Sequence, residues 1–318
     1  MQFPADNLDL SVIVVNYNSG DVLPQCLTAL ALAQAEVALE VIIVDNGSTD
    51  GSIEVAEQAH PYFLFVKAGE NLGFARACNA GLARARGRHV MLLNPDAEVR
   101  PGALSNLVAA LDAHSHWGIV GPRMVDGSDQ PYPAARRFPT PFFLFTESTR
   151  LAFLFPRSRW LARYFYGDRE RSALDDVDQV EGSALVMSGA ARAVVGDLDE
   201  RFFLYFEEVD WCLRVNRAGF ETHLVSAAVV RHHRATTMSR FFLDTRVHNA
   251  DSAMKFFLKH HGERGLKSLR RWMRAALLLR EIGMTMAAWL GAGERAKLRA
   301  AGARIERGIY RRGLTETS

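Results

Sequence analysis

Val90-Met91-Leu92-Leu93-Asn94-Pro95-Asp96-Ala97-Glu98 is the stretch whose reading decides the fold. Four apolar residues in a row, closed by turn residues, form the pattern of a strand buried on both faces, as in a parallel sheet. Asn94-Pro95 ends the run, because proline has a fixed φ and no N–H to give to a ladder. Asp96 therefore falls just past the C-terminal end of a central strand, the edge at which open α/β sheets bind ligands. A carboxylate there, with Glu98 close behind, can hold a hard cation that in turn holds phosphate oxygens. Capping of a helix that begins near Pro101 would use the same Asp96 equally well.

The segments upstream repeat the pattern. Leu10 to Val15 and Val41 to Val44 read as buried strands rich in β-branched residues. Phe63 to Val66 reads as a third, and the stretch before Asp96 as the fourth. Helices are expected from about Asp21 to Ala33, Ser52 to Ala59 and Ala75 to Ala85. Strand and helix alternate at βαβ spacing, which implies a mostly parallel sheet with right-handed crossovers. Farther on, Gly182 to Gly189 and Val225 to Val230 read as strands.

A dinucleotide-binding domain would carry G-x-G-x-x-G after its first strand. The first turn here is Asn16-Tyr17-Asn18-Ser19-Gly20, with one glycine. That argues against a nicotinamide or flavin dehydrogenase. The successive turns instead carry the ring of Tyr17, the acid Asp45 and the amides Asn16, Asn46 and Asn79. A base can stack on such a ring, and a carboxylate can accept from the N–H of a uracil or thymine. Taken singly, Asp45 and Asp50 are ordinary turn formers.

Composition narrows the class. The chain has 318 residues, 48% hydrophobic and 23% charged, as in a soluble globular protein. The net charge of +2 is unevenly spread, with about ten more basic than acidic residues from Arg240 onward. Such asymmetry points to an anionic partner such as a membrane surface, or to solvated basic helices. Cys26, Cys78 and Cys212 are far apart and read as buried thiols in a reducing compartment. No secretory signal and no spanning apolar stretch are evident, so a cytoplasmic location is expected.

Residues 131–180 change character, with five prolines among Phe, Arg and Tyr. They read as an insertion that packs partly on the core and partly over a cleft. Glu207-Glu208-Val209-Asp210 open a helix that runs to about Arg217, with Gly219 as its stop. Acids in a first turn complement the helix dipole. They are equally candidates for a general base that takes the proton of an attacking hydroxyl. His232 ends a short strand and could complete a metal shell with neutral imidazole, manganese accepting nitrogen more readily than magnesium.

Together these pieces resemble the inverting family-2 glycosyltransferases of GT-A fold, especially rhamnosyltransferase-like members. The matching segments are Ser11 to Asn18, Val44 to Gly51, Asn71 to Ala75 with Asn79, Leu93 to Asp96, Asp199 to Phe203 and Glu207 to Arg214. The resemblance implies an α/β GT-A, Rossmann-like, mostly parallel sheet flanked by helices, with a C-terminal helical appendage. It implies a catalytic domain over residues 1–239, with 131–180 on the acceptor side, followed by a basic amphipathic helical region over 240–318. It implies nucleotide-sugar contacts at Val14, Asn16, Tyr17, Asp45, Asn46, Gly73, Phe74, Asn79, Asn94 and Asp96. Asp96 would bind Mn2+ or Mg2+ with His232, as the acid of a degenerate D-x-D motif whose first position is Asn94. Glu208 stands where the family usually has the Asp of its Glu-Asp pair and would be the base, with Glu207 beside it. The acceptor contacts would be Gly182, Glu207, Asp210 and Trp211.

The implied substrates are a dTDP- or UDP-linked sugar, rhamnose first, and a glycan or lipid-linked acceptor. Leu266 to Leu290 interleaves Arg270, Arg271, Arg274 and Arg280 with Leu, Met and Trp272. Such a basic amphipathic segment suits an anionic membrane surface or a homo-oligomer interface equally. No nucleic-acid-binding motif accompanies it. A non-catalytic binder of the same fold is the competing class, but Asp96, Glu208 and His232 are all present.

Overall fold

The computed structural model describes residues 8–167, 176–233 and 242–314. They form two compact units. Among the described residues the first draws on 8–136, 176–203 and 207–233, the second on 137–167, 204–206 and 242–314.

The first unit is built on an eight-stranded sheet of order β3-β2-β1-β4-β9-β6-β10-β5. β1 (Leu10–Asn16), β2 (Leu39–Asp45), β3 (Leu64–Lys67) and β4 (His89–Leu93) are parallel. α1 (Val22–Ala33), α2 (Ser52–Ala59) and α3 (Phe74–Leu82) make the crossovers. β1, β2 and β4 are buried along nearly their whole length, which is why they read as unbroken apolar runs. Leu10, Val12, Val14, Val41, Ile43, Met91 and Leu93 enter one core with Leu23, Leu27 and Leu30 of α1.

The second half of the sheet is mixed. Past β4 the chain makes the three-residue β5 (Ala97–Val99), then α4 (Ala103–Ala113) and β6 (Trp117–Val125). β7 (Ala135–Arg136) pairs with β8 (Gln179–Val180) in a separate two-stranded sheet, so the ends of the 131–180 stretch belong to the first unit while 137–167 belong to the other. β9 (Ala184–Ser188) inserts antiparallel between β4 and β6. α7 (Gly189–Val195) and α8 (Glu207–Arg217) precede the long strand β10 (Glu221–His232). Gly219, at φ +88°, ends α8 as expected of a helix stop. β10 runs parallel to β6, slips register between Val225 and Val229, and its last residues pair antiparallel with β5. β5 and β6 escape a periodicity reading: β5 is too short, and Gly121-Pro122-Arg123 interrupts β6.

The second unit is helical. α5 (Pro141–Ser148) has Pro at its start and Thr140 as cap, the Thr140 hydroxyl accepting from the Phe143 N–H at 3.2 Å. The four-residue α6 (Leu151–Leu154) follows. α9 (Phe242–Ala287) is broken at Gly262, where φ is +62°. One π-helical turn (Ala288–Ala292) then leads into α10 (Gly293–Arg312). No helix among the described residues is long and apolar enough to cross a membrane. All three cysteines are free and buried.

Candidate active site

The C-terminal ends of β1 and β2 lie side by side, with Asn16 opposite Asp45. Asn16 is fully buried, and its Nδ2 donates to Ser48 Oγ at 3.0 Å and Ser52 Oγ at 2.9 Å. Its Oδ1 is an orphan acceptor among the described residues. Asp45 is nearly buried and accepts from the Ser48 N–H at 3.2 Å, so its carboxylate is oriented by its own turn. Asp50 Oδ2 accepts from the Gly20 N–H at 2.8 Å. Burial alone would raise the Asp50 pKa, but hydrogen bonds from Ser52 and Gly20 outweigh it and hold the group below its ordinary value. Tyr17 is half-buried immediately after Asn16. Val14 is one turn of the strand deeper and fully buried, so its side chain serves the core.

Asn46 and Asn71 form an amide clamp. Asn46 Nδ2 donates to Asn71 Oδ1 at 3.0 Å, and Asn46 Oδ1 accepts from the Leu72 N–H at 2.8 Å. The clamp holds Gly73 at φ +83°, where an added Cβ would lie 2.6 Å from the Phe203 carbonyl oxygen. Only glycine fits. The Phe74 N–H donates to that same oxygen at 2.6 Å. Asn79 spends both ends of its amide on Leu198, and its Nδ2 also reaches Glu200 at 3.1 Å. The side chains of Asn46 and Asn79 thus tie loops together, and what they present to a ligand is the shape of those loops.

Asp96 and His232 meet. His232 Nε2 lies 3.1 Å from Asp96 Oδ1, with the two side chains 9% and 12% exposed. The contact follows from pairing: His232 is opposite Ala97 in the antiparallel β5–β10 ladder, and the His233 N–H donates to the Asp96 carbonyl at 3.0 Å. Behind the imidazole, the Tyr132 hydroxyl lies 3.0 Å from Nδ1. Tyr132 packs against the main core, so the ring of His232 is fixed from both sides. One carboxylate and one imidazole brought together at the strand ends are a fitting donor set for a borderline divalent ion. No cluster of three or more such side chains occurs among the described residues. Full coordination there calls for oxygens from a ligand and from water.

The same edge holds the paired acids. The Asn94 N–H donates to the Ser183 carbonyl at 2.9 Å, bringing the β4 end to the start of β9. Gly182, next along, faces Glu208: a Cβ built on it would meet Glu208 Cβ and Cγ at 3.2 Å. Glu207 and Glu208 each keep an Oε2 that is buried without a hydrogen-bond partner among the described residues. Burial, and then the Glu208 charge, push the Glu207 carboxyl well above the ordinary carboxylate range. Burial raises Glu208 too, while the Arg136 charge on β7 pulls the other way. Two adjacent carboxyls pushed upward, each with a buried oxygen lacking a partner among the described residues, are the pattern of a proton-handling site.

The side chains of Asp210 and Trp211, expected among the acceptor contacts, are engaged inside the protein. Both are fully buried. Asp210 Oδ2 accepts from Arg214 Nε at 2.8 Å, and Trp211 Nε1 donates to the Gly196 carbonyl at 2.8 Å. Asp210 is two residues on from Glu208 and so points to the opposite side of α8, whereas Trp211, three residues on, shares the Glu208 side but is committed to the Gly196 carbonyl. Tyr132 and Arg136, which act on His232 and Glu208, were not among the residues expected at the site. Tyr132 sits between two prolines and Arg136 in a two-residue strand, so neither carries a periodic signal.

A parallel β-α half closed by antiparallel strands, with acid and amide turns on one edge, is the architecture of GT-A glycosyltransferases. Solved structures agree in fold. A mannosyltransferase from Pyrobaculum calidifontis, in complex with GDP-Man and Mn2+, superimposes with a TM-score of 0.57 at 19% identity, covering 94% of this chain and 80% of that one. GalNAc-T7 with UDP, GalNAc and Mn2+ gives 0.52 at 13% identity, covering 73% of this chain and 45% of that one. Residues 11–173 match the model of glycosyl transferase family 2. An N-acetylglucosaminyl-diphospho-decaprenol L-rhamnosyltransferase of Mycobacterium tuberculosis is 32% identical over 285 residues, covering 85% of this chain and 91% of the relative. The chain belongs to glycosyl transferase family 2, and it is a glycosyltransferase.

Proposed function

We propose that the protein moves a sugar, rhamnose first, from a dTDP- or UDP-linked donor to a hydroxyl of a glycan or lipid-linked acceptor. The transfer would proceed with inversion and serve bacterial surface polysaccharide synthesis at the inner face of the membrane. The observation that carries the reading is the 3.1 Å approach of Asp96 and His232 on the edge that also holds Glu208. The rhamnose and lipid-diphosphate choices draw on the name of the mycobacterial relative, which spans nearly the same length.

In this reading Asp45 accepts from the pyrimidine N–H and Tyr17 covers the base. Asp96 and His232 would hold Mn2+ or Mg2+, which would supply positive charge to offset that of the diphosphate leaving group. Glu208, ionised, accepts the proton of the acceptor hydroxyl as its oxygen attacks the anomeric carbon. Gly182, having no Cβ, lets the backbone pass close beside the Glu208 side chain. Glu207, whose carboxyl is pushed upward by burial and then by the Glu208 charge, holds a proton more readily than an exposed acid and so adds less negative charge beside Glu208. A leaving diphosphate needs no protonation by a second carboxylic acid, unlike the ether oxygen in glycoside hydrolysis.

Thermal shift with dTDP or UDP, with and without Mn2+, tests the reading. Nucleotide and metal together should raise Tm, and the rise should vanish in Asp96→Ala and His232→Ala. An unchanged melting curve with both ligands present would overturn the metal assignment.

A further inference from the structure

The second unit ends in a helical hairpin, and one of its faces has no partner among the described residues. The second half of α9 buries Leu266, Leu269, Met273, Ala276 and Leu277, and α10 buries Ala296, Ala300, Ala303 and Tyr310. Another face of the same helix turns outward. Leu278, Leu279, Ile282, Met286, Trp289 and Leu290 are 42%, 56%, 48%, 59%, 88% and 87% exposed. Steps of three and four residues place them on one stripe. At the helical rise its length is about 18 Å. Leu298, on α10, adds a further exposed apolar side chain at 66%.

The charges of the hairpin decide what would cover this stripe. Residues 266–312 carry twelve Lys or Arg against three Glu. Two of those acids are buried in the hairpin: Glu281 pairs with Arg304 and Arg307, and Glu306 with Arg246. The third, Glu294, is exposed and already paired with Lys297 at 2.7 Å. What solvent meets is therefore apolar and cationic, with Arg271 and Arg274 exposed beside the stripe. A second region of this unit has the same chemistry: Leu154, Phe155 and Trp160 are 68%, 53% and 74% exposed and alternate with exposed Arg157 and Arg159.

We infer that the Leu278–Leu290 stripe docks on an anionic lipid surface, with the hairpin lying in the plane of the interface. Large apolar side chains enter the headgroup boundary while arginines meet lipid phosphates, the usual division of labour in an interfacial helix. Trp289, at the tip, is the residue type that prefers that boundary. A second copy of this chain is disfavoured as occupant, because like-charged faces would oppose each other with few exposed acids to compensate. Spanning is excluded for the described helices by their length and polarity. The inference deepens the membrane location proposed above, but lipid binding and sugar transfer are read separately.

The test is flotation of the full-length protein with vesicles of pure phosphatidylcholine and of phosphatidylcholine with 30% phosphatidylglycerol (roughly the anionic load that gives a sizeable surface potential). Binding should be at least tenfold tighter to the anionic vesicles and should weaken as salt rises. Trp289→Ser with Leu279→Ser should reduce it at least tenfold with unchanged far-UV circular dichroism. Arg271→Glu with Arg274→Glu should abolish the preference for anionic lipid. Equal binding to both vesicle types, or none, would overturn the inference. So would a dimer in light scattering that Trp289→Ser dissociates in the absence of lipid. Sugar transfer to a water-soluble acceptor, measured on the same samples, reports independently on the catalytic reading.

Discussion

Asp96 and His232 are 136 residues apart in the chain, yet Oδ1 of one lies 3.1 Å from Nε2 of the other. The contact is made by strand register. Because β5 and β10 run antiparallel with Ala97 opposite His232, a slip of one residue would turn the imidazole to the other face of the sheet. The Tyr132 hydroxyl, 3.0 Å from Nδ1, then fixes the ring.

Tyr132→Phe removes only that hydroxyl. Loss of an outer-shell partner typically weakens metal binding about 10- to 100-fold. We predict a loss of that size in Mn2+ affinity, measured by electron paramagnetic resonance of free Mn2+ in the presence of dTDP. Metal-free dTDP binding should be unchanged. An unaltered Mn2+ isotherm would show that the hydroxyl has no orienting part.

Glu208→Gln keeps the shape of the side chain and removes the proton acceptor. General-base catalysis contributes about 10²- to 10⁴-fold, and transfer should fall by that factor while donor binding persists. Burial raises the Glu208 pKa, and the ionised form is the base. The acid limb of kcat/KM should therefore lie above the ordinary carboxylate value of about 4.3. A limb at or below that value would remove Glu208 from the role.

Gly182→Ala probes the contact from the opposite side. The new methyl would lie 3.2 Å from Glu208 Cβ and Cγ, too close to be accommodated without moving the carboxylate. The side chain must give by a few tenths of an ångström, less than the ~1 Å that costs on the order of 10²-fold in rate, so the loss should be several-fold. We expect kcat to drop with donor KM little changed, read in steady-state kinetics; an equal kcat would mean that the carboxylate has room to move.

Glu207→Gln tests the buried neighbour through stability. Burial keeps folded Glu207 protonated above its unfolded pKa, so between the two values the folded chain binds more protons than the unfolded one. Stability from this group is then full below the unfolded pKa and is lost as pH rises through the folded value. The variant has no such titration. Its Tm, followed by calorimetry, should fall less between pH 5 and pH 8 than that of the parent.

Asp210→Asn separates framework from substrate contact. Asp210 is fully buried against Arg214, and breaking such a pair costs about 3–5 kcal/mol. Tm should fall markedly while acceptor KM stays the same. A selective rise in acceptor KM would restore Asp210 to the acceptor site.

The parallel half of the sheet was legible because β1, β2 and β4 are buried on both faces and must be apolar throughout. Their ends were legible because Asn16, Asp45 and Asn94-Pro95 are residue types that stop strands. The mixed half was less so. The shortness of β5 and the Gly121-Pro122 interruption in β6 leave little period to read. Asp210 and Trp211 were expected among the acceptor contacts from the family resemblance, but burial on a helix is set by what packs against it, and both side chains lie inside the protein.

The residue types at the edge, acids, amides and a histidine at successive strand ends, were determined by the sequence alone, since local hydrophobic patterning marks where each strand stops. The tertiary structure decided which of them meet. It set His232 against Asp96 and Gly182 against Glu208, put Tyr132 behind the imidazole, and sealed Asp210 and Trp211 inside. These pairings depend on strand register and helix rotation between segments far apart in the chain, and no local pattern encodes either.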